Sequence, residues 1–258
     1  MFPLRDNIPT ERTPWVTIAI IVANVLVYFL FQHGTIVLGS PSSRAYLVNL
    51  FENATIPYEL THWGQHCIIE GQRVGCGKVP NPSGYAPTWA TPFISMFMHG
   101  GLLHLGGNML FLWIFGNNVE DVMGRVKFVV FYVLGGLAAT ALQVIVGPNE
   151  TVPNIGASGA IAAVLAGYLL MFPRARVLTF VFIIFFFTFL ELPAIIFLGI
   201  WIAEQVLFGY FDLTDPTGGG GGVAYFAHIG GFAFGLVAVK LFASEVRRRR
   251  TMARAGWA

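Results

Sequence analysis

Charged residues are scarce in this chain. Asp, Glu, Lys and Arg make up 11% of its 258 residues, whereas hydrophobic residues make up 55%. A soluble domain has roughly 25% charged residues, and the mean hydropathy here is +0.68. The composition excludes an ordinary soluble enzyme and indicates an integral membrane protein. The net charge of +2 gives no reason to expect a nucleic-acid partner.

Cysteine is also nearly absent, since Cys67 and Cys76 are the only two and both lie in one polar loop. On the outer side of a membrane such a pair would form a disulfide that closes a short loop. His62 and His66 lie nearby, so the segment also resembles a zinc-ligand cluster. We prefer the disulfide.

Apolar runs long enough to cross a bilayer recur along the chain. A spanning helix needs about 20 mostly apolar residues. The polar residues 1–14 precede the first run, which is long enough to stay as an anchor, so we expect no cleavable signal peptide. Five runs satisfy the length criterion: Trp15–Val37, Pro92–Phe115, Val126–Val146, Ile155–Phe172 and Val223–Ala243.

The stretch from Val177 to Tyr210 is interrupted by Glu191-Leu192-Pro193. Val177–Leu190 is too short to span, and runs of 10–14 apolar residues are more often interfacial or re-entrant. We therefore predict that Val177–Leu190 dips into the cytoplasmic leaflet and that Pro193–Tyr210 is the fifth span. The total is six.

The distribution of positive charge agrees with six spans and a cytoplasmic N-terminus. Lys and Arg favour cytoplasmic flanks, and this topology puts twelve of the fifteen there, including Arg247–Arg250 in the C-terminal tail. We expect that tail to meet anionic lipid of the inner leaflet. The other three, Arg44, Arg73 and Lys78, lie in the long first loop.

Ser158 and His228, seventy residues apart, each lie near the start of an apolar run. Polar side chains are costly in hydrocarbon, so intramembrane ones are functional candidates, and a serine with a histidine is the minimum set for nucleophilic hydrolysis. In the six-span order both spans enter from outside, so both residues lie at the outer end.

Small residues border both candidates. Ser158, Ala162 and Ala166 share one helix face with Gly159 beside it, and Ala227, Gly231 and Gly235 share a face of the last span. Small residues every four positions let membrane helices approach closely, although the same pattern also serves helix packing alone.

The second span carries His104 and Asn108, which are i and i+4 and so share one face. Two neutral donors aimed at one point could stabilise an oxyanion, or they could satisfy backbone groups or each other. His99, at the predicted membrane surface, is a weaker candidate that could simply support the loop.

These residues resemble the rhomboid intramembrane serine proteases. The resemblance rests on Gly-Ala-Ser-Gly at 156–159, the His104/Asn108 pair and Ala227-His228-Ile229-Gly230-Gly231, with Gly116-xxx-Glu120-xxx-Gly124 as a further family motif. It covers roughly residues 89–243. Two family features are missing: no Trp-Arg dipeptide occurs in the first loop, and Ala162 stands where some relatives have a Tyr that stacks on the base.

The resemblance implies an all-α polytopic fold, a six-helix bundle with a long first exoplasmic loop. Ser158 would be the nucleophile and His228 the general base, with Gly156, Gly159 and Gly231 supporting them. His104, Asn108 and the Ser158 backbone N–H would form the oxyanion hole, and no cofactor is implied. Substrates would be membrane-protein segments whose helices unwind easily, cut near the outer face. Domain bounds are 1–14 for a cytoplasmic segment, 15–243 for the membrane domain (39–90 being the loop) and 244–258 for a basic cytoplasmic tail.

We further expect a bacterial plasma-membrane location with both termini cytoplasmic. Gly218–Gly222, before the last span, is either a mobile cap over the site or a plain linker. We expect Glu120 to cap or pair at a helix end.

Four other functions are less consistent with these residues. A haem or metal carrier would use His99, His104 and His228 as ligands, but it explains neither Gly-Ala-Ser-Gly nor Asn108. A catalytically silent rhomboid relative that binds membrane helices would usually lack the serine or histidine. A transporter is not favoured, because no inverted repeat is visible. A soluble hydrolase elbow is excluded, because Ala160 stands where Gly-x-Ser-x-Gly needs glycine.

Overall fold

The computed structural model of the chain describes residues 1–36, 38, 41–70, 73–78, 84–183, 186–214, 223–254 and 256. The glycine run at 218–222 lies outside the described residues. The helices are α1 (Trp15–Leu26), α2 (Arg44–Asn53), α3 (Pro57–Thr61), α4 (Thr91–Ser95), α5 (Leu102–Phe111), α6 (Asn117–Met123), α7 (Arg125–Val146), α8 (Ser158–Met171), α9 (Ala194–Thr214), α10 (Tyr225–Phe242) and α11 (Glu245–Arg254). The strands are β1 (Phe2–Asp6), β2 (His66–Glu70), β3 (Arg73–Gly77), β4 (Arg176–Ile183) and β5 (Phe186–Pro193).

Among the described residues, three helices, α7, α9 and α10, are long and apolar enough to cross a membrane. Two shorter apolar helices accompany them: α8, and α1 with the π-helical turn Val27–Phe31 that continues it. The protein is thus a mostly helical integral membrane protein, and the count of six spans stays a prediction.

The predicted helical membrane fold is confirmed in outline, but two small antiparallel sheets among the described residues, which an all-α fold lacks, accompany the helices. One has the order β1-β4-β5, and the other is the hairpin β2-β3 within the first loop. The segment Val177–Leu190, predicted to dip into the cytoplasmic leaflet, forms most of β4 and β5, and its depth in the membrane stays a prediction. Its Phe and β-branched residues favour strands, and a short apolar run cannot be assigned to helix or strand by periodicity alone.

The second span was also predicted to begin too early. Its helix starts at Leu102 rather than Pro92 and runs through α5, a π-helical turn at Leu112–Gly116 and α6. Gly100 and Gly101 stand before it, and each glycine disfavours helix by about 1 kcal/mol. The non-helical backbone at His99 is satisfied from elsewhere: its N–H donates to Gln32 Oε1 (2.8 Å), and its carbonyl accepts from Tyr46 Oη (2.9 Å).

Helix α8 is the central helix, and every residue from Gly159 to Tyr168 is buried. Glycines let α7 and α10 approach it closely. A Cβ atom on Gly231 of α10 would lie 2.0 Å from the Gly159 carbonyl oxygen, and one on Gly235 would lie 2.3 Å from that of Ala163. The predicted small-residue faces therefore do meet, with backbone packed against backbone.

Glu120 of α6 caps the N-terminal end of α1, far away in sequence, and so caps a helix end as expected. Its carboxylate accepts the backbone N–H groups of Val16 (3.0 Å) and Thr17 (2.8 Å) and the Thr17 hydroxyl (2.8 Å). These N–H groups belong to the first turn of α1, where no intrahelical partner exists. The buried carboxylate thereby fixes the first apolar helix to the end of the second predicted span.

Replacing Glu120 with Ala is expected to destabilise the protein by about 1–3 kcal/mol, because buried donors lose their acceptor. The midpoint of thermal unfolding in detergent micelles measures this change. Glu204→Ala, at an exposed carboxylate of α9, is the matched control and should leave the midpoint nearly unchanged. Equal midpoints for the two variants would contradict the capping role.

Gly231→Ala is expected to destabilise the protein by about 1–3 kcal/mol or more, since the added methyl overpacks a backbone contact. Gly199→Ala in α9 is the control, because a Cβ there meets nothing within 4 Å and alanine favours helix. Thermal unfolding should therefore separate the two variants. A Gly231→Ala protein as stable as Gly199→Ala would show that α8 and α10 do not touch in this way.

Candidate active site

Ser158 is the first residue of α8 and follows a sharp turn. Gly156 in that turn has φ +127°, a conformation that L side chains rarely adopt. The Gly156 N–H donates to the Ser95 carbonyl at 2.9 Å, which holds the turn against the C-terminal end of α4. Because α8 begins at Ser158, the backbone N–H of that residue has no partner inside the helix and lies at the positive end of the helix dipole.

His228 lies in the first turn of α10 and contacts the serine. Its Nε2 is 2.7 Å from Ser158 Oγ, within the 2.6–3.2 Å that a nucleophile and its base require. Gly231, one turn after His228 on α10, approaches Gly159 closely, and this approach makes the short distance possible. The structure thus brings together the two residues that the sequence singled out.

Gln205 of α9 is the polar neighbour that the sequence analysis missed. It is buried, and its Oε1 lies 2.7 Å from His228 Nδ1. The ring of Trp201, one turn earlier on α9, lies 5.7 Å from the imidazole centroid at an interplanar angle of 37°. A polar amide in an apolar helix is a functional candidate on the same ground as Ser158, so Gln205 could have been identified from the sequence.

His104 points its second nitrogen toward the serine turn. Its Nδ1 accepts the Gly100 N–H at 3.2 Å, so a neutral ring carries its hydrogen on Nε2. A Cβ atom on Gly156 would lie 2.9 Å from His104 Nε2 and 3.4 Å from Ser158 Oγ. The absence of a side chain at Gly156 therefore leaves a small space that both groups reach.

Asn108 lies one turn after His104 on α5 and is 8% exposed. Its Nδ2 has no hydrogen-bond partner among the described residues. A buried donor without an acceptor costs about 1–3 kcal/mol, and such exceptions call for an explanation such as a catalytic role or an unseen ligand.

His99 is fully buried, and its ring packs edge-to-face against His104, with centroids 5.2 Å apart. Neither of its ring nitrogens has a hydrogen-bond partner in the described part of the chain. Its backbone joins the predicted second span to Gln32 and Tyr46, as described above. His99 therefore borders the candidate site behind His104, and its ring does not touch the serine turn through a hydrogen bond.

A small cavity of about 20 Å³ opens beside Ser158, which is room for roughly one water molecule. Helices α4, α7, α8 and α10 and the turn before α8 enclose it. Its polar lining residues include Ser95, Thr140, Asn154 and Ser158.

This geometry gives little support to a haem or metal carrier or to a zinc-ligand cluster in the first loop. Both ring nitrogens of His228 are engaged, one by Ser158 and one by Gln205, so neither is free to ligate haem or a metal. Cys67 and Cys76 lie opposite each other in the β2-β3 hairpin and form the preferred disulfide. Beside it, Glu59 Oε1 accepts the Cys67 N–H at 2.7 Å, and burial raises the pKa of the Glu59 carboxyl.

Comparison with known proteins gives consistent partial matches. Rhomboid protein 1, mitochondrial, of Saccharomyces cerevisiae is 29% identical over 175 residues, covering 63% of this chain and 45% of its own length. The presenilin-associated rhomboid-like protein, mitochondrial, of Bos taurus is 33% identical over 85 residues, covering 32% of this chain and 22% of its own. Rhomboid-like protein 11, chloroplastic, of Arabidopsis thaliana is 34% identical over 80 residues, covering 31% and 28%.

The chain thus spans less than half the length of each of these relatives. The model of the Rhomboid domain matches residues 86–245, more than half of the chain, and includes every candidate site residue. By this match, the chain belongs to the rhomboid family.

Proposed function

We propose that this protein is an intramembrane serine endopeptidase that cuts transmembrane segments of other membrane proteins near the outer face. The observation that carries the proposal is the 2.7 Å contact between Ser158 Oγ and His228 Nε2. A hydroxyl and an imidazole at that distance can exchange a proton as the hydroxyl attacks a carbonyl.

In the first step, Ser158 Oγ attacks the carbonyl carbon of the scissile peptide bond while His228 Nε2 takes the hydroxyl proton. The tetrahedral intermediate then collapses: the C–N bond breaks, and His228 gives its proton to the leaving amine. An acyl group remains as an ester on Ser158. The two-step scheme follows the general logic of serine hydrolases, with no carboxylate on the base.

The oxyanion of the tetrahedral intermediate would accept hydrogen bonds from His104 Nε2, Asn108 Nδ2 and the Ser158 backbone N–H. The space in front of Gly156 supports this assignment, as does the unpartnered amide of Asn108. Donors of this kind act where charge develops, in a site that excludes bulk water.

Water completes the cycle by hydrolysing the ester, with His228 as the base again. The cavity beside Ser158 has room for about one water molecule. Such a water would lie next to the ester bond that it attacks, which favours hydrolysis over return of the acyl group to the amine.

The substrate would be a membrane helix that unwinds readily, because a peptide bond in a stable helix is already hydrogen-bonded and shielded. With the predicted six spans and both termini cytoplasmic, the site opens toward the outer side. The proposed location is a bacterial plasma membrane, whereas the relatives described above are mitochondrial or chloroplastic by name. The alternative function is that of a catalytically silent family member that only binds membrane helices, and the next experiment distinguishes the two.

Ser158→Ala and His228→Ala are each expected to abolish cleavage of a single-span substrate that carries Gly and Pro near its outer end. The reason is that either change removes one partner of the proton transfer. Cleavage is measured with purified protein reconstituted in vesicles. His33→Asn, at an exposed histidine, is the control and should cleave at the parent rate. Cleavage by both Ser158→Ala and His228→Ala at the parent rate would refute the proposal, and no cleavage by the parent across such substrates would favour a silent relative.

His104→Ala and Asn108→Ala should each lower kcat by about 10²–10³, with a smaller change in KM, because their donors act on the transition state rather than on the bound substrate. Steady-state kinetics on the same substrate tests this. An unchanged kcat in a folded variant would remove that residue from the oxyanion site.

A further inference from the structure

Gln205 lies where a third member of the catalytic group would lie. It is 8% exposed, and it comes from α9, whereas Ser158 and His228 come from α8 and α10. Its Oε1 is 2.7 Å from His228 Nδ1, and its Nε2 is 3.3 Å from the Trp201 carbonyl oxygen.

The second of these contacts fixes which way the amide faces. The Trp201 carbonyl oxygen can only accept a hydrogen bond, so the NH₂ group of Gln205 must be the end that faces it. The amide oxygen is left facing His228. Turning the amide over would bring two oxygens together at Trp201 and would lose that hydrogen bond.

The orientation of the amide in turn selects the tautomer of His228. An amide oxygen only accepts, so Nδ1 of His228 must carry the hydrogen that it receives. Nε2 then has a lone pair, and that lone pair faces the Ser158 hydroxyl at 2.7 Å. This is the tautomer that can act as a base; the other one would present an N–H to the serine and could accept nothing from it.

Helix α9 also limits the tilt of the imidazole ring. Trp201 lies against it at 5.7 Å between centroids, and Trp201 itself packs on Phe232 of α10 at 6.2 Å. At position 162 of α8 there is only alanine, whose Cβ faces Gly231. The base is therefore held from α9 rather than by an aromatic ring on the serine helix.

We propose that Gln205 is a positioning residue that acts through His228: it holds Nδ1 protonated and keeps Nε2 aimed at Ser158. This proposal rests on the proposed function of the Ser158–His228 pair. A neutral amide orients the imidazole as a triad carboxylate would, without placing a negative charge beside the imidazolium that forms during the reaction.

The variants Gln205→Met and Gln205→Glu separate the effect of orienting the imidazole from the effect of side-chain size. Methionine has nearly the same size and no acceptor for Nδ1–H, so kcat should fall by about ten- to a hundredfold, less than the ~10⁴ that the wrong tautomer costs in a triad enzyme. KM should change less than twofold. Glutamate keeps an acceptor, so Gln205→Glu should retain most of kcat, and its carboxylate should move the acid limb of the pH–rate profile to higher pH because it favours the protonated imidazole.

Glu204→Gln, at the exposed neighbouring position, is the matched control and should keep both kcat and the pH profile of the parent. A Gln205→Met enzyme with the parent kcat would overturn the proposal. A Gln205→Glu enzyme as slow as Gln205→Met, with an unmoved acid limb, would also overturn it, because a purely structural role predicts that result. If the parent cleaves and Ser158→Ala does not, the proposed function stands and either result tells against Gln205 alone.

A spectroscopic measurement tests the proposal without altering the residue. In protein labelled with ¹⁵N-histidine, His228→Ala identifies the His228 signals by their loss. We expect a protonated Nδ1 and an unprotonated Nε2 in the neutral ring of the parent protein. A neutral ring with its proton on Nε2 would overturn the proposal, even if Gln205→Met fails to fold.

Discussion

The close backbone contact between α8 and α10 is the constraint on which the rest of the site depends. Gly231 lies so near the Gly159 carbonyl that a single methyl group would collide with it. Ser158 directly precedes Gly159, and His228 lies one turn before Gly231, so the 2.7 Å separation of their side chains is a consequence of how closely the helices approach. Small residues allow such contact between membrane helices, where packing rather than hydrophobic burial drives association.

Buried polar groups hold the helices and loops around the site together. Glu120 joins the end of the second predicted span to the start of α1 through two backbone N–H groups and the Thr17 hydroxyl. Gln32 and Tyr46 hold the non-helical backbone at His99, just before the helix that presents His104 and Asn108. In hydrocarbon, backbone outside a helix persists only where protein satisfies its polar groups, and these contacts do so.

The sequence predicted much of this site and less of the fold around it. Ser158, His228 and the small-residue faces follow from helical spacing and from the cost of polar groups in a membrane, and both principles act locally. Val177–Leu190 could not be assigned, because a short Phe-rich run fits a strand as well as a re-entrant segment, and its pairing partner Phe2–Asp6 lies some 170 residues away in sequence. Gln205 was overlooked because its partner is on another helix, and only the packing of α9 on α10 shows that the amide meets the imidazole.

The central claim is that one serine in this chain is activated by one histidine from a neighbouring helix. A fluorophosphonate probe, which reacts with serines made nucleophilic by a base, tests that claim most directly when the modified residue is mapped by mass spectrometry. The account predicts a single adduct on Ser158 that is lost in His228→Ala protein. An adduct on a different residue, or labelling of Ser158 that proceeds equally well without His228, would contradict it.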